Sequence, residues 1–290
     1  MAARNYTSNS THSDFQRPKR KLLAQAISTA LIAGAVPGAL AAQEDLVIEE
    51  IVVTAQKRSE SINDVGMSIE ASTGEQLQDL GITDAFDLYK VVSGFSSNVN
   101  YAGTAIYTIR GVGFQENSLA TSPTVSVYLD EAPLQFSPMT RGASLDVQRV
   151  EALKGPQGTL FGQNATGGAI NFIANKPTEE FEAGINMSYG KFGALDVDGF
   201  VSGPISDAWG YRVALRSQTS DDWQKSYVDD QEAGSRDEFA YRVSLAYDDD
   251  DRMRLLLTLS GFTNQSDTLR PQLAGKISQN PINGITPEFA

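Results

Sequence analysis

The sequence predicts a small mixed α/β domain followed by the first antiparallel strands of a transmembrane β-barrel, about five in number, with the barrel incomplete. Three observations carry this. A basic segment, an apolar run and a small-residue site open the chain and mark it for export. Residues 59–177 mix helical and strand patterns within the length of one small domain. Residues 178–290 instead alternate apolar and polar side chains in segments of about ten residues, without the pattern of a soluble core.

Composition narrows the function classes. The 290 residues carry a formal net charge of −13, and residues 1–41 hold five basic side chains against one acidic, which leaves −17 on residues 42–290. Nucleic acid is therefore not expected as a partner, because phosphate backbones require clustered Lys and Arg. There is no cysteine, and the only histidine, His12, lies in the segment expected to be removed. Disulfides, thiolate sites and His-based catalysis are excluded from the mature chain, and no metal or other cofactor is expected.

Residues 1–41 read as a signal peptide. Arg17-Pro18-Lys19-Arg20-Lys21 is the basic region, Leu22 to Val36 the apolar region, and Ala39-Leu40-Ala41 the cleavage site. A membrane anchor fits less well: Gln25, Ser28 and Thr29 interrupt the run and Pro37 ends it, short of the roughly 20 apolar residues a span needs. Residues 42–58 follow, with the β-rich string Ile48, Glu49, Glu50, Ile51, Val52, Val53, Thr54, Ala55. Such a strand either adds to the sheet edge of a partner or begins the next domain, and its spacing fits both.

In residues 59–177, Ser72-Thr73-Gly74-Glu75 fits a capping box before Leu77 and Leu80, with Gly81 as the stop. Thr83 is placed to cap a second helix over Asp84–Val92. Strands are expected at Ala105–Ile109, Val125–Leu129, Val150–Leu153 and Ala169–Ile173. Gly155, Gly158, Gly162, Gly167 and Gly168 lack the Gly-Lys-Ser/Thr of a phosphate loop, so tight turns are the simpler account.

Five alternating strands follow, near 181–189, 195–202, 211–216, 239–247 and 253–259. Glu182, Asp196, Asp198, Arg212, Arg216, Arg242 and Arg254 share the polar face. A soluble sandwich would alternate similarly. Two features favour a barrel in outer-membrane lipid. Aromatics such as Tyr189, Trp209, Tyr247 and Phe262 stand near strand ends, and short connections (204–210, 248–251) alternate with a long polar one (218–237). The acidic pairs Asp221-Asp222 and Asp248–Asp251 lie in expected loops without a catalytic geometry, so no enzyme is expected. Five strands would leave open edges in lipid, so the chain reads as the N-terminal part of a longer protein, with a non-transporting truncated remnant or a soluble periplasmic plug-type binding module as the alternatives.

Several strings together resemble the TonB-dependent outer-membrane receptors. Glu49–Arg58, EEIVVTAQKR, is similar to their TonB box. Ile109-Arg110-Gly111, Val127-Tyr128-Leu129-Asp130, the run Gln148-Arg149-Val150-Glu151-Ala152-Leu153-Lys154-Gly155-Pro156-Gln157-Gly158-Thr159-Leu160-Phe161-Gly162, and Asn164–Asn171 with Gly167 and Gly168 are similar to their plug domain in order and spacing. The resemblance implies a plug within a 22-stranded barrel that imports a siderophore, vitamin or glycan under energy drawn through TonB. It implies that residues 48–55 pair with TonB. It also implies that Arg110 and Glu151 help seat the plug in the barrel, with an ion pair inside the plug as the alternative. Lys154 stands where the family often has Arg, which keeps the charge without the bidentate fork. Substrate contacts are expected in segments 98–104, 115–121 and 134–140.

Overall fold

The computed structural model describes residues 52–54, 58, 60–99, 105–114, 123–225, 232–249 and 253–267. The expected signal peptide and residues 48–51 and 55 lie outside them. Two short strands, β1 (Val52–Val53) and β2 (Glu60–Ser61), pair antiparallel at the start. Next come β3 (Ile69–Thr73), helix α1 (Gly74–Asp79), a 3₁₀ helix over Ala85–Lys90, and the hairpin of β4 (Phe95–Val99) with β5 (Ala105–Ile109). Strands β6 (Val125–Leu129), β7 (Ala132–Leu134), β8 (Val147–Lys154) and β9 (Gly168–Ala174) follow, with the short helix α2 (Gly158–Phe161) between the last two.

The local chemistry explains the helices, with two corrections. Thr73, not Ser72, caps α1: its hydroxyl accepts from the Gln76 amide while the Gln76 side chain accepts from the Thr73 amide. The capping box is therefore Thr-x-x-Gln, one residue later than expected. The second helix is a 3₁₀ turn capped by Asp84 rather than an α-helix capped by Thr83. It buries Ala85 and Leu88 and leaves Tyr89 exposed.

The domain's main sheet runs β3-β8-β9-β6-β7, parallel only between β6 and β9. Its two faces are both covered. On one, Val150, Ala152, Ile170 and Phe172 pack with Leu77, Leu88 and Val127. On the other, Leu153, Ala169 and Tyr128 pack with Val53 and Phe161. Strand β9 is buried at all seven positions, so it reads as a continuous apolar run rather than an alternating one. Strands β2, β3, β4 and β7 escaped the sequence reading: β2 and β7 span only two and three residues, β4 (FSSNV) has no two-residue apolar period, and β3 (IEAST) alternates only over Ile69 and Ala71.

A second sheet of five strands forms a wall: β10 (Glu182–Tyr189), β11 (Leu195–Ser206), β12 (Trp209–Ser220), β15 (Arg236–Asp248) and β16 (Arg254–Asn264), all antiparallel and in that order. A two-residue turn joins β11 to β12, tighter than expected. A small pair, β13 (Gln224–Lys225) with β14 (Glu232–Ala233), lies within the long connection. The wall is inside out relative to a soluble sheet. The polar face is covered by the α/β domain: Ser202, Arg212, Gln218, Glu238, Arg242 and Ser244 are each at most 6% exposed. On the other face Met187 is 73% exposed, Tyr189 78% and Leu259 63%. In water that surface would be a large apolar patch; in lipid it is the expected exterior. Among the described residues, β10 and β16 have no outer neighbour.

Candidate functional site

Three inward-facing arginines of the wall converge on one loop of the α/β domain. Arg212, on β12, donates from Nε to Asp146 Oδ2 and from Nη2 to Asp146 Oδ1, both at 2.6 Å. Its guanidinium also lies 4.0 Å from the centre of the Phe200 ring. Arg242, on β15, donates to the carbonyls of Leu145 and Asp146. Arg216 donates to the Thr83 carbonyl at 2.9 Å and to Ser144 Oγ at 3.3 Å. Nearby, Phe262 and Phe200 pack with Leu145, Ala214 and Ala240, so Phe262 belongs to this contact and not to an outer aromatic girdle. Trp209 and Tyr247, whose rings are 4.8 Å apart, remain at the wall's end.

A second contact holds the other part of the domain. Arg141 pairs with Glu238 at 2.5 Å, and Arg236 and Asn264 also donate to that carboxylate. Beside it lies a cavity of about 220 Å³ lined by Thr83, Asp84, Asp87, Arg141 and Arg236. Burial pushes the Asp84 carboxyl above its usual range, against the opposing pull of the Phe86 amide and Arg141. Burial likewise raises the pKa of Tyr107, whose hydroxyl meets Thr140 Oγ1 at 2.8 Å. Segment 134–140 therefore packs inward at Thr140, while 100–104 and 115–121 lie outside the described residues.

The residues expected to seat the plug make the following contacts among the described residues. Arg110, exposed and at positive φ after β5, donates to Ser68 Oγ of the α/β domain at 2.7 Å. Glu151, fully buried on β8, accepts from Arg149 Nε at 2.8 Å. Of the two readings of this pair, the ion pair within the domain is what the structure holds for Glu151. Lys154 also stays within the domain, donating to Ser93 Oγ at 2.6 Å and pairing with Glu70 at 2.5 Å. Burial works to raise the Glu70 pKa, but the hydrogen bonds from Lys154 and Ser93 outweigh it and the net shift is downward. Gly111 lies in the turn after β5. Gly155, Pro156, Gly158, Gly162, Asn164 and Gly167 lie on the connection from β8 to β9. Gly168 opens β9 with φ of +151°, and a Cβ there would sit 2.4 Å from the Leu153 carbonyl oxygen, so only glycine fits.

Of the N-terminal string, Val52, Val53 and Thr54 are described. Val52 is half exposed and Val53 is fully buried against the α/β domain. The Thr54 amide donates to Glu151 Oε1 at 2.8 Å and its hydroxyl to both carboxylate oxygens, at 3.1 and 3.2 Å.

A lipid-facing β-wall whose polar inner face is filled by a separate α/β domain defines a plugged membrane barrel. Residues 61–169 match the TonB-dependent Receptor Plug Domain family. The chain is 35% identical over 205 residues to the pesticin receptor of Yersinia pestis, covering 66% of this chain and 28% of the receptor. It is 24% identical over 268 residues to the vitamin B12 transporter of Vibrio vulnificus, covering 84% of this chain and 42% of the transporter. Its fold overlays the crystal structure of the ferric yersiniabactin uptake receptor of Yersinia pestis with a TM-score of 0.65 and 27% identity, covering 72% of this chain and 33% of that one. Residues 61–169 are a TonB-dependent receptor plug domain, and together with the strands that follow they mark the chain as a fragment of a TonB-dependent outer-membrane receptor with part of its barrel wall. It spans about a third of the length of these relatives.

Proposed function

We propose that the chain is the N-terminal part of an active importer that takes up a ferric siderophore or a similarly scarce metabolite under energy drawn through TonB. The observation that carries this is the short segment Val52–Thr54, strand β1 and the residue after it, docked on the plug by two paired residues and one carboxylate while Val52 stays accessible. A segment so lightly held suits strand addition to a partner. The outer membrane has no ATP, so the work must arrive from the inner membrane, where one charge crossing 100 mV releases about 2.3 kcal/mol. A few such charges offset local opening of a plug, which costs less than global unfolding. Further strands closing the wall between β16 and β10 belong to the same reading, because open edges are not tolerated in lipid. Relatives named for ferripyoverdine and ferrioxamine B, and the solved receptor named for ferric yersiniabactin, favour an iron chelate as cargo.

Val52→Pro tests the reading, because proline removes an amide that strand pairing needs. Uptake of radiolabelled ferric siderophore by cells carrying the receptor should be lost, while binding to isolated outer membranes persists. Uptake at the parental rate would overturn it.

A further inference from the structure

The docked strand has few holds. Among the described residues, its backbone pairing extends over Val52 and Val53, and Val53 is its fully buried side chain. Among the described residues, its other polar contacts end on Glu151, which is 0% exposed and accepts from the Thr54 amide and, across both its oxygens, from the one Thr54 hydroxyl proton. Arg149 Nε, at 2.8 Å, fixes one oxygen of that carboxylate. A buried carboxylate bound this way makes charge-assisted hydrogen bonds, stronger than those between neutral groups.

We infer that Glu151 is a positioning residue that latches the N-terminal strand to the plug through the Thr54 amide and hydroxyl, and that opening this contact governs how often the strand is free to be captured. The inference rests on the importer reading for its biological meaning. The latch itself is a property of the plug alone. Glu151 survives opening because Arg149 stays with it. Its ladder neighbour Asn171, also fully buried, carries an Nδ2 that lacks a partner among the described residues. Asn171 stands directly across from Glu151 on the same face, so its amide is a ready second donor when Thr54 leaves. The sequence places Thr54 and Glu151 97 residues apart, and nothing in either local motif joins them.

The chain has no cysteine, which makes the test direct. Val53→Cys installs a thiol that is buried while the strand is docked, and its maleimide labelling rate in isolated outer membranes reports undocking. Adding Thr54→Val keeps the branched shape and removes the hydroxyl, and should raise the rate about tenfold, the loss expected for a hydrogen bond to a charged group. Adding Thr54→Ser instead keeps the hydroxyl and should leave the rate within about twofold. Glu151→Gln should raise it as Thr54→Val does. Equal rates for the Val53→Cys parent and its Thr54→Val derivative overturn the latch, as do equal rates for Thr54→Val and Thr54→Ser. Faster labelling without more cross-linking to the TonB periplasmic domain supports the latch and counts against the importer reading, so the two fail separately.

Discussion

Replacing Asp146 by asparagine should loosen the plug from the wall more than any other single polar change. Asp146 sits at φ of +47°, a conformation that asparagine also accepts, so backbone strain is held constant. The change removes the charge facing Arg212, whose side chain is 6% exposed and makes two 2.6 Å bonds to this carboxylate. Asparagine retains one acceptor for Arg212 and has to share it with the Asn175 side chain, now 2.8 Å from Asp146 Oδ1. Breaking a buried pair by removing one partner typically costs about 3–5 kcal/mol, most of it the penalty of a buried charge left without its counter-charge. With a urea dependence of about 2 kcal/mol/M, the unfolding midpoint should fall by roughly 1.5–2.5 M. The assay is urea unfolding of the detergent-solubilised protein, followed by near-ultraviolet circular dichroism. Combining Asp146→Asn with Arg212→Met should recover part of the loss, since neither member of this pair then remains as a buried charge without its counter-charge. A midpoint shift below about 0.5 M, or a double variant as unstable as the sum of the singles, would refute the assignment of Asp146–Arg212 as the principal seat.

Two further tests probe the plug and the wall. Burial raises the Asp84 pKa above its ordinary 3.8, so the folded state holds that proton more tightly than the unfolded chain. The group's stabilising contribution is complete below that value and is lost as pH rises through the folded pKa. Asp84→Asn stays neutral and still accepts from the Phe86 amide, so it should raise the urea midpoint at pH 7 and leave it nearly unchanged below pH 3.8; an equal shift at both would refute the burial argument. On the wall, Val243 faces outward at mid-strand, paired with Val213 and Leu259. Val243→Arg should cost about 2–4 kcal/mol in lipid vesicles, and an unchanged folding free energy would mean this face does not meet the bilayer.

How much could be read in advance differs between the two parts. The wall strands were legible because a strand has a period of two whatever its surroundings, and the seven charges assigned to one face all lie on the inner face. In the plug, β5 and β6 appeared at their full extent, since β-branched and aromatic side chains there declare a buried strand. Strand β3 is held by its pairing with β8 and β4 by its pairing with β5, and neither declares itself in its own residues. The cap of α1 was misplaced by one residue because Ser72-Thr73 offers two hydroxyls, and only the backbone geometry chooses between them.

The sequence by itself determined the order of the parts, the inside-out wall and the glycine-rich connection from β8 to β9, because each is a matter of local period or backbone conformation. Which charges meet was decided by the tertiary structure. Arg110 and Glu151 stood in the recognisable motifs yet bond within the plug, Arg110 at its surface and Glu151 in its interior, whereas Asp146 and Arg212, 66 residues apart and in no shared motif, fasten plug to wall. A carboxylate finds its partner by proximity in three dimensions, and the seating of the α/β domain against β12 and β15 sets that proximity. The same holds for the strand at Val52–Thr54: its composition marks it for pairing, but only the folded plug provides the buried carboxylate that keeps it docked.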